Sequence, residues 1–324
     1  MAIVQKLHGE NCTFDQVSSS IFDRISNIGR RSQRIDVVFD IYRENSIKTA
    51  ERQNRGSDDG ISFKEIKSGH KIINWRRLLQ SSDSKNKLTK FLVENWQTET
   101  KRQLLGSKTL FVTYEEKCIK INTTGVDEVN ELASNHEEAD TQMMLHIKHA
   151  ANKSSIGHRV ITCGNFTIIP RLTVSCFSGQ GKVTPLKIIQ KNCDDFIPLF
   201  ASLGSTWSIE EGIFSGIEKF VCQIYSRNTK IKKTNEMAYN IFRSKEGNID
   251  SGQLPPCADC LFQHTLRANY QVAIWRRCLE NFPELPSPQD HGWMVNDSGK
   301  YITVERIMIE KILYGRGVKK MHEN

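Results

Sequence analysis

Apolar residues recur every three or four positions at Phe14, Val17, Ile21, Ile25 and Ile28, which predicts an amphipathic helix with Thr13 as its N-cap. The pattern then changes. Ile35 to Phe39 is a short apolar run ending in Asp40, as expected of a buried strand with a carboxylate at its carboxyl end. A helix-like segment follows, with Asn45 or Ser46 as N-cap and Lys48, Arg52 and Arg55 spaced along it, until Gly56 to Gly60 breaks it. The polar stretch to about Lys87 carries Lys64, Lys67, Lys71, Arg76 and Arg77 as a solvated face, with Trp75 and Leu78 turned inward. Leu88, Phe91, Leu92 and Trp96 mark a further amphipathic helix.

Thr109 to Tyr114 and Lys117 to Asn122 read as two strands joined by a tight turn at Glu115-Glu116. Ser134 to Ala150 reads as a helix with the apolar stripe Ala139, Met143, Ile147 and Ala150, capped by Ser134 or Asn135. Arg159 to Cys163 is a further strand, and Met1 to Val4 resembles the end of another. This alternation predicts an α/β fold over residues 1–170, a mostly parallel sheet flanked by helices. Beyond Pro170 the chain reads as mainly helical over 171–324, with helices at Leu186 to Leu203, Ile209 to Tyr225, Asn235 to Phe242 and Asp259 to Leu279. A polar connector, Ser244 to Pro256, and a Pro-rich loop, Phe282 to Gly292, separate or follow them.

Composition adds a partner class. Lys plus Arg (45) exceed Asp plus Glu (37), giving +8 and a pI near 9.0, which favours DNA, RNA or another polyanion. No run approaches the ~18 apolar residues of a membrane span. The amino terminus has no signal-peptide pattern, and the nine cysteines are odd in number and scattered. Reduced thiols in the nucleus or cytoplasm are the expectation.

Three constellations carry candidate chemistry. Glu137, Glu138 and Asp140 fall in the first turn of a helix, where carboxylates suit the exposed amides. Convergence of Asp40, Glu138 and Asp140 would instead suit Mg²⁺ or Mn²⁺, which take carboxylate, water and phosphate oxygens. Lys48, Arg52 and Arg55 share one helical face, either to hold a phosphate or to meet solvent. Cys257-x-x-Cys260 with His264 is half a zinc site with no second pair, and it equally opens an amphipathic helix. Gly179-Gln-Gly181-Lys182 is too short for a P-loop. The helix around Arg267, Tyr270, Trp275, Arg276 and Arg277 is either a protein-interaction surface or core packing with a solvated Arg face.

Val37-Val38-Phe39-Asp40, with Ile47-Lys48 and Arg55, resembles the strand and gateway helix of flap-endonuclease-like nucleases of the PIN superfamily. Glu138-Ala139-Asp140 resembles their E-A-E metal-binding turn, and Met1 to Gln5 is similar to the crossing that follows their first metal Asp. Over nearly its full length the chain resembles a large uncharacterised animal family with mobile-element-like copies. The shared motifs lie at Arg34 to Arg52, His136 to Thr141, Gly179 to Lys182, Phe220 to Tyr225, Leu254 to Trp275 and Ser287 to Trp293. The nuclease resemblance implies that Asp40, Glu138 and Asp140 hold Mg²⁺ or Mn²⁺, and that Lys48, Arg52 and Arg55 orient the scissile phosphate.

The departures are on the acid side. The first metal Asp would precede Met1, and Asn165 and Thr167 stand where two further acids belong. A GCDT turn is missing between Arg171 and Gly179, as is a cysteine-rich tail after Tyr301. Loss of one metal-orienting neighbour alone costs ~10–100-fold in affinity or activity. The expectation is an incomplete PIN-like domain, catalytically impaired, that retains nucleic-acid binding. A non-enzymatic interaction module built on the helical half is the alternative.

Overall fold

The computed structural model describes residues 9–43, 46–49, 63–153, 181, 183–246 and 249–304. Chain contacts divide it into two compact units: Met1–Phe166 with Arg277–Glu284, and Thr167–Arg276 with Leu285–Asn324. The expected strands at Met1 to Val4 and Arg159 to Cys163, with Arg52, Arg55, Asn165 and Thr167, lie outside the described residues.

In the first unit, α1 (Phe14–Ile28) opens on a capping box: Thr13 Oγ1 accepts from the Gln16 amide and Gln16 Oε1 accepts from the Thr13 amide. Its buried face is Phe14, Val17, Ile21, Phe22 and Ile25, whereas Ile28 is half exposed at the last turn. Strand β1 (Arg34–Val37) is followed by α2 (Trp75–Leu78), α3 (Ser82–Trp96) and α4 (Glu99–Leu104). Three strands then run consecutively: β2 (Thr109–Tyr114), β3 (Lys117–Ile121) and β4 (Val126–Glu128). A 3-10 turn at Asn130–Leu132 leads to α5 (Ala139–Asn152).

The sheet order is β1-β2-β3-β4. Only β1 and β2 are parallel, with Ile35 opposite Leu110, while β2/β3 and β3/β4 are antiparallel. Among the described residues the sheet is therefore mixed, not mostly parallel. The physical reason is the two-residue Glu115-Glu116 connection, which returns the chain as a hairpin, with Glu115 at φ 51°. Strand β2 is central and covered on both faces. Leu110 and Val112, with Ile35 and Ile121, pack against the side chains of α1 and α3, including Phe22, Leu88, Leu92 and Trp96. Phe111 and Cys118 face the other way, onto Val129, Leu132 and Leu145 of α5. Trp75 and Leu78 are buried, as their spacing predicts.

The second unit is helical: α6 (Val183–Lys191), α7 (Cys193–Ser202), α8 (Glu211–Tyr225), α9 (Thr234–Ser244) and α10 (Ala258–Arg276). The expected helix at Leu186 to Leu203 is split at Asn192, whose side-chain amide donates to the Ile188 carbonyl. A short hairpin, β5 (Trp293–Val295) with β6 (Tyr301–Thr303), closes the described chain and was not legible as strand. Phe196 and Phe220 at 5.0 Å, and Phe200 and Phe220 at 4.9 Å, form an edge-to-face core between α7 and α8.

Candidate functional site

Asp40 follows β1 in an extended loop that docks on the amino end of α5. The Ile41 amide donates to the Glu137 carbonyl at 3.0 Å, and Asp40 Oδ1 accepts from the Ala139 amide at 3.1 Å. Asp40 thus caps α5 from a distant part of the chain, satisfying an amide that the helix leaves without an internal partner. Glu138 occupies the N-cap position but makes no side-chain cap hydrogen bond, and Asp140 lies in the first turn. The helix begins later than Ser134 because Ser134 Oγ accepts from the His136 amide and the Asn135 amide donates to the Asn281 carbonyl. Both expected caps are used in an extended entry segment instead.

Lys48 completes the arrangement. It lies among the helical residues 47–49, which Ser46 caps, its Oγ accepting from the Thr49 amide at 3.2 Å. Lys48 Nζ donates to Asp40 Oδ1 at 2.8 Å and to the Glu137 carbonyl at 3.2 Å. Tyr42 Oη donates to Asp40 Oδ2 at 3.3 Å. Burial alone would raise the Asp40 carboxyl. The Lys48 ammonium and the Ala139 amide more than offset that and hold it down at about 2. Next to it the Glu137 carboxyl is pushed up by burial, with Arg43 at 3.9 Å acting against the rise.

The structure therefore brings together Asp40, Lys48 and the Glu137-Glu138-Ala139 backbone. These residues do not fit a divalent metal as they stand. Both Asp40 oxygens are engaged, Oδ1 by the Lys48 ammonium and the Ala139 amide and Oδ2 by the Tyr42 hydroxyl. Among the described residues no three His, Cys, Asp or Glu side chains form a metal-holding group.

A second polar cluster was missed by sequence reasoning. Asp36 on β1 is paired by Arg34 through one guanidinium edge (Nε–Oδ2 2.8 Å, Nη2–Oδ1 2.7 Å) and accepts from His146 Nδ1 at 2.6 Å. Burial would raise Asp36, but the His146 and Arg34 hydrogen bonds outweigh it and lower its carboxyl. Arg34 also lies 4.1 Å from the Phe111 ring centroid and reaches His149 Nδ1 at 2.9 Å. Since arginine only donates, His149 Nδ1 must be the lone pair. Burial, then the Arg34 charge, lowers the His149 imidazole. The available signal was the i, i+3 pair His146/His149 on a helix facing the alternating Arg34-x-Asp36. This cluster fastens α5 to the sheet. Gln142 Oε1, His146 Nε2 and His149 Nε2 on the same helix are buried without a hydrogen-bond partner among the described residues.

His136, in the segment that resembles the animal family's HEEADT motif, is also a fastener. Its Nε2 donates to the Glu280 carbonyl at 2.7 Å, while Asn281 Nδ2 donates to the Glu131 and Ala133 carbonyls. Within the first unit, this ties the returning segment 277–284 to the entry of α5.

In the second unit, α10 is an anchoring rod. Arg267 Nη1 donates to the Gly292 carbonyl, Tyr270 Oη to the Pro286 carbonyl, and Arg276 Nε to the Leu203 carbonyl. Asn269 takes the Gly204 amide and donates to the Thr206 and Trp207 carbonyls. Of the two readings for this helix, docking surface or packing, Arg267, Tyr270 and Arg276 follow the packing one, each making an internal bond. Cys257, Cys260 and His264 do not form a metal-holding group.

Comparison with protein-family models, curated proteins and solved structures returned no match.

Proposed function

We propose that the chain is a nuclease-like protein of PIN type that binds nucleic acid without cleaving it. The observation that carries this reading is the 2.8 Å ion pair of Lys48 with Asp40 at the amino end of α5. In the related nucleases that acid is implied to hold Mg²⁺ or Mn²⁺. Here its charge is neutralised by the chain's own ammonium and a backbone amide, so no catalytic step is assigned to it. Asn165 and Thr167, in place of acids, support the same conclusion. Nucleic acid as partner is supported by the net charge of +8 and by Lys64, Lys67, Lys71, Arg76 and Arg77, all exposed on the first unit. Scattered cysteines support a nuclear or cytoplasmic setting. No helix among the described residues is long and apolar enough to cross a membrane.

The test is fluorescence anisotropy with a labelled flap-bearing duplex, titrated at increasing salt. The affinity falls steeply, and an Arg76→Ala/Arg77→Ala variant lowers the slope of log K against log salt by about one unit per lost phosphate contact. No cleavage accompanies binding when Mg²⁺ or Mn²⁺ is added. Salt-insensitive binding, or none, would sink the reading.

A specific observation favours the interaction module as the second reading. Val183, Leu186 and Ile197 on α6 and α7, and Tyr239 and Phe242 on α9, are between 47% and 61% exposed. Apolar exposure on that scale suits a protein partner.

A further inference from the structure

The sequence places Cys257 and Cys260 directly after Pro255-Pro256, at the point where α10 begins. The Cys257 carbonyl accepts the first helical bond, from the Leu261 amide at 2.9 Å, so Cys257 is the N-cap residue. The neighbouring Ala258 amide is taken by Asn235 Oδ1 at 2.8 Å. Cys257 Sγ turns back over the first turn and accepts from the Cys260 amide at 3.4 Å. Both residues are half-buried thiols.

We propose that Cys257 and Cys260 are a redox-active dithiol that closes to a disulfide at the amino end of α10. Residues three apart inside a helix hold their Cβ atoms about 5–6 Å apart, wider than the ~3.8 Å that a disulfide takes. The N-cap position removes that obstacle, because Cys257 is not bound to helical backbone angles. Its sulfur already reaches the Cys260 amide at 3.4 Å, which places it over the residue that carries the second thiol.

Three other thiols are set apart by burial. Burial pushes Cys118 up to about 12, Cys222 up to about 11, and Cys278 upward, which keeps those sulfurs protonated and unreactive. A zinc role for the pair would need His264 and a fourth donor, and no such group forms among the described residues.

The oxidant is a low-molecular-weight disulfide, for which oxidised glutathione is the probe. Cys257 sulfur, as thiolate, attacks one glutathione sulfur. The glutathione S–S bond breaks, a Cys257–glutathione disulfide forms, and one glutathione thiolate leaves. Cys260 thiolate then attacks Cys257 sulfur and expels the second glutathione. The protein loses two protons and two electrons, and the oxidised glutathione becomes two thiols.

The experiment equilibrates the full, folded chain in graded ratios of reduced to oxidised glutathione, quenches with acid, alkylates, and maps thiols by peptide mass spectrometry. The expected result is that Cys257 and Cys260 leave the alkylatable pool together, their peptide losing two hydrogens, while Cys118 and Cys222 stay reduced. In a Cys260→Ser variant the first step cannot be resolved, so a glutathione adduct accumulates on Cys257. Full alkylation of both cysteines across the series would overturn the proposal. So would oxidation seen only after unfolding. A wild-type result alone decides the matter if the variant fails to fold.

Discussion

Lys48 against Asp40 is the contact on which the functional reading turns, and it makes a stability claim as well. The Asp40 carboxyl sits at about 2 in the fold against about 3.9 in an unfolded chain, worth about 2 kcal/mol of stability above the unfolded value. The side chains are 19% and 24% exposed, so this pair is far less screened than an exposed surface bridge. A Lys48→Met variant leaves the carboxylate with the Ala139 amide and Tyr42 hydroxyl alone. Its stability is expected to fall by about 1–3 kcal/mol at neutral pH, read from urea midpoints. Unchanged midpoints would mean that the pair is fully solvated in solution.

At the scale of elements, α5 is where the sequence was least legible. Its polar face, Thr141, Gln142 and His146, is the buried one, while Ala139, Met143, Ile147 and Ala150 are half-buried. Periodicity assigns apolar residues inward, and here Asp36 and Arg34 supply long-range partners that make the polar face the inner one. Its start was obscured for the same reason, since the cap comes from Asp40. By contrast, α1 announced itself through Thr13 and its apolar stripe, both local signals, and the Glu115-Glu116 hairpin did likewise. The fastening of α5 has a pH consequence. His136 and His149 are held neutral by burial, so their folded values lie below the unfolded value of about 6.5. Their contribution is complete above about pH 6.5 and is lost as pH falls through the lowered values. Asp40 adds a second loss below about pH 4, while Glu137, raised by burial, acts in the opposite direction. A pH series of urea midpoints is expected to decline from about 6.5 downward. His149→Asn, which keeps an acceptor for Arg34, flattens the first part of that decline. An unaltered profile in the variant would remove His149 from the account.

At the scale of the molecule, each unit has its own core. Arg267 and Tyr270 pin the loop after α10 onto that helix, and Asn269 does the same for the loop between α7 and α8. Gly292 has φ 90°, and a Cβ there would lie 2.5 Å from the Gln263 carbonyl oxygen, so no other residue fits. Gly292→Ala is expected to cost more than about 2 kcal/mol, read as a lowered thermal midpoint. A midpoint within error of the parent would show that the loop can shift away. The sequence marks Asp40 and Lys48 as candidates, and the structure brings the two together. Their mutual pairing was not legible, because an ion pair across a loop leaves no periodic trace.

The most direct test of the central claim is calorimetric titration of Mn²⁺ into the unaltered chain and into an Asn165→Asp/Thr167→Asp variant. The account predicts no saturable binding by the unaltered chain, because Lys48 holds Asp40, and saturable binding by the variant, whose two added carboxylates compete with that ammonium. Tight Mn²⁺ binding by the unaltered chain would contradict it.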